Sequence, residues 1–195
     1  MNVEINTPSL EAFFAGIILI FKQSFLRKIA CSIFENYFFR SVDCYSRLYD
    51  IRKGQLREDC LGEPITSISL TNDEQCILAS VLASSIKLVD KDNGKVLNSF
   101  EGHINKEYKV DSCAMKNDTH VVTGSEDGHI FFWDLIDAKV VKKIEKAHVG
   151  VIYSLSKHPT KNLLLTAATD GVKLWDSQEN IDAKEKEKEE VAILL

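Results

Sequence analysis

The chain has 195 residues, a formal net charge of −5, 27% charged residues and 45% hydrophobic residues. That is enough chain for one domain, or one domain with an appendage, in an ordinary globular composition. It excludes a collagen, a long coiled coil, a wholly disordered chain and a strongly basic nucleic-acid binder, so no direct nucleic-acid binding is expected.

Residues 1–40 form a Phe-rich appendage. They hold seven of the ten Phe (Phe13, Phe14, Phe21, Phe25, Phe34, Phe38 and Phe39) but one of the nine Gly, Gly16. The apolar run Ala12–Phe21 stops at Lys22 after ten residues, and a membrane-spanning helix needs about 20. Glu4 and Glu11 stand where a signal peptide carries basic residues. The run reads as an interfacial or buried helix without a transmembrane segment. The appendage as a whole is predicted helical and unrelated to the rest of the chain.

From Ser41 to Asp176 the texture changes to short β-branched runs punctuated by Gly, Asp and Asn, and it repeats. The markers are Tyr49-Asp50, Val89-Asp90, Trp133-Asp134 and Trp175-Asp176, spaced by 40, 44 and 42 residues. They divide 41–176 into a partial unit, 41–60, and three further units, 61–100, 101–145 and 146–176. Each later unit begins with an apolar strand: Ile65–Leu70, Tyr108–Ala114 or Val151–Lys157. A polar turn follows, then a second strand: Cys76–Ser80, His120–Ser125 or Asn162–Ala167. A tight turn leads into a third strand ending at the marker, and fourth strands are predicted at Lys95–Phe100 and Lys139–Ile144. Four short strands in about 40–45 residues is the period of a β-propeller blade. Residues 177–195 are a charged tail, with three basic and seven acidic groups from Asp176 onward, predicted helical or disordered.

The five cysteines, Cys31, Cys44, Cys60, Cys76 and Cys113, are odd in number and contain no CxxC pair. They support neither a disulfide framework nor a zinc site, and read as reduced thiols.

Specific residues carry a resemblance to WD-repeat (WD40) propellers. Gly102-His103 precedes Trp133-Asp134, and Ala147-His148 precedes Trp175-Asp176; the intervening turns read Ser125-Glu-Asp-Gly128 and Ala168-Thr-Asp-Gly171. The resemblance implies two buried hydrogen-bonded networks, His103, Thr123, Asp127 and Trp133 in one blade and His148, Thr166, Asp170 and Trp175 in the next. An indole N–H only donates, a hydroxyl donates and accepts, and an imidazole does both, so an Asp can close the series with a charge-assisted bond. A hydrolase reading of His, Thr and Asp fails, because the set recurs at blade period and no G-x-S-x-G elbow occurs. No catalytic, cofactor or metal site is expected, and the chain is read as not an enzyme.

Three departures carry expectations. Ala83 replaces the turn Asp in unit 61–100, which therefore cannot build the network. Cys44 replaces the turn Gly in unit 41–60, where a positive φ would be strained. Trp175 follows Asp170 by five residues where Trp133 follows Asp127 by six. A deletion within a strand would turn Trp175 to the wrong face.

Segments such as Tyr49-Asp-Ile-Arg-Lys-Gly-Gln55 and Asp118-Thr-His-Val-Val-Thr-Gly-Ser-Glu-Asp-Gly-His-Ile-Phe-Phe-Trp-Asp-Leu135 are similar to the mitogen-activated protein kinase organizer family. These are seven-bladed WD-repeat scaffolds also found with the spliceosome. The resemblance covers Ser41 to Trp175. It implies a non-enzymatic scaffold whose partners are kinase-cascade or spliceosomal proteins, in cytoplasm and nucleus. In such propellers partners meet the loops entering the first strand and those between the second and third. Here these offer Asn105, Lys106, Glu107 and Tyr108, then Glu126 and His129, with Tyr108 as the anchor; the plainer reading is a solvated loop. Tyr49-Asp50-Ile51-Arg52 also resembles the WDxR signature of cullin-type ubiquitin-ligase substrate receptors, with Arg52 as the contact and Tyr in place of Trp; the preferred reading is a plain strand end with a solvated Arg.

Seven blades need about 294 residues. The expected fold is therefore an all-β, partial (open) WD40 propeller of three to four blades. Its open edges make it prone to self-associate, and a truncated product with little independent function is the remaining alternative.

Overall fold

The computed structural model describes residues 29–31, 36–50, 53–158 and 160–176. Four antiparallel sheets follow one another along the chain. The first contains β1 (Ile29–Cys31), β2 (Asn36–Arg40), β3 (Tyr45–Asp50) and β4 (Gln55–Cys60). The second contains β5 (Ile65–Leu70), β6 (Cys76–Val81), β7 (Ser85–Asp90) and β8 (Val96–Glu101). The third contains β9 (Ser112–Ala114), β10 (His120–Gly124), β11 (Ile130–Asp134) and β12 (Val140–Ile144). The fourth contains β13 (Ile152–Lys157), β14 (Leu163–Ala168) and β15 (Gly171–Asp176). In each sheet the strands pair in sequence order, and the first strands β1, β5, β9 and β13 contact one another in succession. That is an open propeller arc, with the first strand of each blade toward the axis.

Two expectations change. Residues 36–40 are a strand that pairs with β3, and residues 29–31 a strand that pairs with 36–40, so a helix does not extend over them and the first blade starts before residue 41. Ala12–Phe21, Arg52 and the tail 177–195 lie outside the described residues. Among the described residues no helix is long and apolar enough to cross a membrane. The predicted strand Tyr108–Ala114 shortens to Ser112–Ala114, leaving 108–111 as loop.

At Asp90 and Asp134 the marker Asp shapes the turn that leaves the third strand. The Asp90 carboxylate accepts the N–H groups of Asp92 (2.8 Å) and Asn93 (3.2 Å), and Asp134 accepts those of Ile136 (2.8 Å) and Asp137 (2.9 Å). These side-chain turns reverse the chain into β8 and β12. The N–H bonds also hold both carboxyls below their ordinary value.

Three apolar clusters lie between blades. Leu48 of β3 packs on Ile65, Ile68, Ile77 and Val89. Leu78, Ile86, Leu88 and Phe100 of the second sheet meet Val121, Phe131 and Trp133 of the third. Val122 and Ile130 of the third meet Ile152, Leu155 and Leu164 of the fourth. Each fully buried side chain of this size contributes about 1.5–3 kcal/mol.

Turn glycines matter at two equivalent positions. Gly128 has φ +78, and a Cβ there would stand 2.2 Å from the carbonyl oxygen of His148. In the first blade the same turn position is Cys44, with φ 73. The left-handed conformation costs an L-residue roughly 1–2 kcal/mol, partly offset by glycine's larger unfolded-state entropy. Cys44→Gly is expected to raise stability by about 0.5–1 kcal/mol, read as a higher urea midpoint with unchanged slope. An unchanged or lower midpoint would show that the strain is relieved elsewhere. Cys44, Cys60 and Cys76 form no disulfide among the described residues.

Candidate protein-interaction face

The fourth blade builds the full network. His148 Nδ1 lies 2.5 Å from Asp170 Oδ1, and its Nε2 lies 2.7 Å from Thr166 Oγ1. Trp175 Nε1 donates to the same hydroxyl at 2.8 Å, and Val149 N–H donates to Asp170 Oδ2 at 3.1 Å. The Val149 N–H, with help from His148, overcomes desolvation and lowers the Asp170 carboxyl to about 2. The missing residue falls in the turn and not in a strand. Ala167 and Val172 enclose four residues, whereas the equivalent pair Gly124 and Ile130 encloses five. Trp175 therefore stands opposite Leu164, two residues before Thr166, as Trp133 stands opposite Val121, two before Thr123.

The third blade does not join its predicted set. Thr123 Oγ1 donates to the backbone carbonyl of Asp111 at 2.8 Å, and Trp133 Nε1 donates to the carbonyl of Glu101 at 3.1 Å. Asp127 accepts the N–H of His129 at 3.2 Å. Neither ring nitrogen of the buried His103 has a hydrogen-bond partner among the described residues; its ring packs edge-on against Trp133 at 5.5 Å. Phe131, where the fourth blade has Lys173, stacks on the Trp133 indole at 5.5 Å and 17°, and the indole N–H turns to Glu101. Burial lowers the His103 pKa to about 4 despite the nearby Asp127 and Glu126 carboxylates.

The predicted contact loop is held by one side chain. Glu126 Oε1 accepts the N–H groups of Lys106 (2.7 Å), Glu107 (2.8 Å) and Tyr108 (2.9 Å). Burial pushes the Glu126 carboxyl up, but these three bonds and Lys106 hold it below its ordinary value. Three consecutive N–H groups aimed at one oxygen form an anion nest, here filled from within the chain. Lys106, Glu107 and Tyr108 are exposed above it. Tyr108 is 43% exposed and meets Tyr153 of β13, 37% exposed, edge-on at 5.9 Å and 78°. The aromatic pair thus spans two blades. His129 works inward: its Nδ1 accepts the Lys146 N–H at 2.9 Å, which makes it a turn brace.

Sequence reasoning missed Tyr153 and Asp111, and placed Asn105 on the contact loop without seeing that it is buried. Tyr153 sits in an apolar strand run and carries no separate signal. Asn105 is fully buried; its Nδ2 donates to Thr66 Oγ1 and to the carbonyl of Val81, both at 3.2 Å, which ties the loop to the second blade. Asp111, nearly buried beside the axis, accepts hydrogen bonds from Ser67 (2.9 Å) and Ser154 (2.8 Å) and pairs with Lys109 at 2.9 Å. A cleft of about 630 Å³ lies between the third and fourth blades, lined by Phe132, Val141, Ile144, Leu164 and Trp175 among others. It borders β12 where the fourth blade has three described strands.

Residues 94–134 and 139–176 match the family model "WD domain, G-beta repeat". These segments are WD40 repeats. The human WD repeat domain-containing protein 83 is 47% identical over 127 residues, 65% of this chain and 40% of that protein. The Danio rerio protein of the same name is 44% identical over 134 residues, 69% of this chain and 42% of its own. The Dictyostelium discoideum homolog is 37% identical over 142 residues, 71% of this chain and 43% of its own. The chain thus spans about two fifths of these relatives. Among solved structures, the computationally designed Ika4 protein superposes with a TM-score of 0.65 at 24% identity, over 79% of this chain and 92% of that one, a likeness of fold. The WD40 repeats and these relatives support a protein-interaction scaffold, and WD40 repeat proteins are in general non-enzymatic.

Proposed function

We propose that the chain is a non-enzymatic scaffold for components of mitogen-activated protein kinase cascades or of pre-mRNA splicing complexes, in cytoplasm and nucleus. Its relatedness to the WD repeat domain-containing 83 proteins and the resemblance of its repeat text to kinase-organizer scaffolds support this reading. The observation that carries the site is the Tyr108–Tyr153 pair, exposed on two blades and backed by Glu126. Tyrosine supplies a large amphipathic contact area with few rotamers to freeze, which suits an interface anchor.

The test is affinity purification of the tagged chain, with recovered proteins identified by mass spectrometry. Kinase-cascade or spliceosomal proteins are expected with the unmodified chain. Tyr108→Ala is expected to cost about 2 kcal/mol of binding, about thirty-fold in affinity. Glu126→Gln, which weakens the acceptor holding residues 106–108, is expected to give a smaller loss. Recovery of neither class of protein would remove the partner assignment. Equal recovery by Tyr108→Ala would remove the aromatic pair as the contact.

A further inference from the structure

The first two joints between blades are closed at the outer rim by the same contact. Arg57 of β4 stands opposite Leu48, two residues before the marker Asp50. It donates to the carbonyl of Asp92, two residues past the marker of the next blade, at 2.6 Å. Asn98 of β8 stands opposite Leu88, two residues before Asp90. It donates to the carbonyl of Ile136, two residues past Asp134, at 2.8 Å. Leu135 and Ala138 of that passing segment pack on the apolar cluster between the two blades. By register the same position on β12 is Lys142, opposite Phe132. The segment that would pass it begins at Ser177.

That segment has a different composition. Ser177 and Asn180 stand where the third blade has Leu135 and Ala138. Two polar residues do not seal an apolar joint, and the cleft of about 630 Å³ lies at this joint. Its walls are Phe132, Val141, Ile144, Leu164 and Trp175, and its rim carries Lys116, Lys142 and Asp176. Both lysines are exposed, and neither forms an ion pair among the described residues, whereas Lys139 and Lys143 beside them do.

The chain itself carries a segment of matching chemistry. Residues 177–195 hold six acidic and three basic groups, with Glu185, Glu187, Glu189 and Glu190 followed directly by Val191-Ala-Ile-Leu-Leu195. Residues 1–28 are also apolar, but they hold three basic and two acidic groups, the wrong sign for a lysine rim. We propose that the cleft is a docking groove for the chain's own tail. Val191–Leu195 enter between the third and fourth blades, and the glutamates before them lie along Lys116 and Lys142. The 14 residues 177–190 span up to about 46 Å when extended, enough to leave the groove, turn and return. The groove volume lies in the range of about 300–1,000 Å³ in which proteins hold apolar ligands. The inference is independent of the partner reading, because neither Tyr108 nor Tyr153 lines the groove.

The experiment is carbodiimide cross-linking of the full chain, read by mass spectrometry on the monomer fraction, beside acrylamide quenching of tryptophan fluorescence. Trp133 is fully buried, so quenching reports Trp175 on the groove wall. Links from Lys116 or Lys142 to Glu185, Glu187, Glu189 or Glu190 are expected. A carboxylate does not enter an apolar groove, so Ile193→Glu with Leu194→Glu is expected to cut these links about fivefold and to raise quenching about twofold. Circular dichroism checks that this variant folds. A peptide of residues 184–195 added to it is expected to restore the protection of Trp175. Lys116→Glu with Lys142→Glu is expected to raise quenching in the same way. Quenching unchanged in both variants would overturn the proposal, as would links that survive the apolar substitutions undiminished. Links from these lysines to Glu4 or Glu11 would seat residues 1–28 in the groove instead, and links found only between two copies would make the contact intermolecular; either overturns it.

Discussion

His148→Phe is expected to cost about 2–4 kcal/mol, while His103→Phe is expected to be neutral or stabilising by about 1 kcal/mol at pH 7. The two histidines occupy matching places in the sequence but opposite places in the bonding. Removing His148 takes one partner each from the Thr166 hydroxyl and the Asp170 carboxylate, at about 1–3 kcal/mol for a buried group left short of a bond, while Trp175 keeps its bond to Thr166. His103 has no such bonds to lose, and phenylalanine keeps its ring against Trp133 while removing two unpaired nitrogens. Urea unfolding followed through Trp133 and Trp175, the two tryptophans, measures both changes. Equal losses from the two substitutions would show that the third-blade network forms after all.

The same buried ring sets an acid response. The native pKa of His103 is about 4, below the ordinary 6.5. The unfolded chain therefore binds the proton more readily between those values. The associated stability is fully present above pH 6.5 and is lost as pH falls toward 4, by roughly 3 kcal/mol in all. His103→Phe is expected to flatten that limb. An unchanged limb would assign it to another group.

The blade period was legible because the marker Asp has a local job, bending the chain out of the third strand, at Asp90 and at Asp134. Strand bounds were legible too: Ile65–Leu70 is β5 as expected, and Val140–Ile144 differs by one residue from its expected start. What failed to read was decided across blades. Residues 36–40 look like part of an apolar appendage until β3 is present to pair with them. The two networks look alike until Phe131 stacks on Trp133 and Lys173 does not stack on Trp175. The shortened interval before Trp175 counts residues without saying where the gap lies, and a gap in a turn leaves the strand faces intact.

Asp111→Ala is expected to destabilise the chain by about 3 kcal/mol and to weaken partner binding as well. The Asp111 carboxylate accepts the Ser67 hydroxyl of β5 and the Ser154 hydroxyl of β13, while its backbone carbonyl accepts Thr123 of β10. Ser67 and Ser154 lie 44 and 43 residues away, one blade on either side. One side chain beside the axis therefore ties three blades, and truncating it leaves the buried Ser67 hydroxyl, the more exposed Ser154 hydroxyl and Lys109 without this acceptor. Asp111→Asn keeps an acceptor and gains a donor, so about 1 kcal/mol is expected. Ser154→Ala removes a single bond and should cost a similar amount. The functional consequence comes through Tyr153, the neighbour of Ser154. With the Asp111 tie gone, the fourth blade is free to shift against the third, and the Tyr108–Tyr153 geometry is lost although neither ring is altered. Hydrogen exchange should then quicken at β13 more than at β6 in Asp111→Ala. Uniform quickening would make Asp111 a general stability residue, and unchanged exchange with unchanged binding would remove it as the tie that holds the interaction face together.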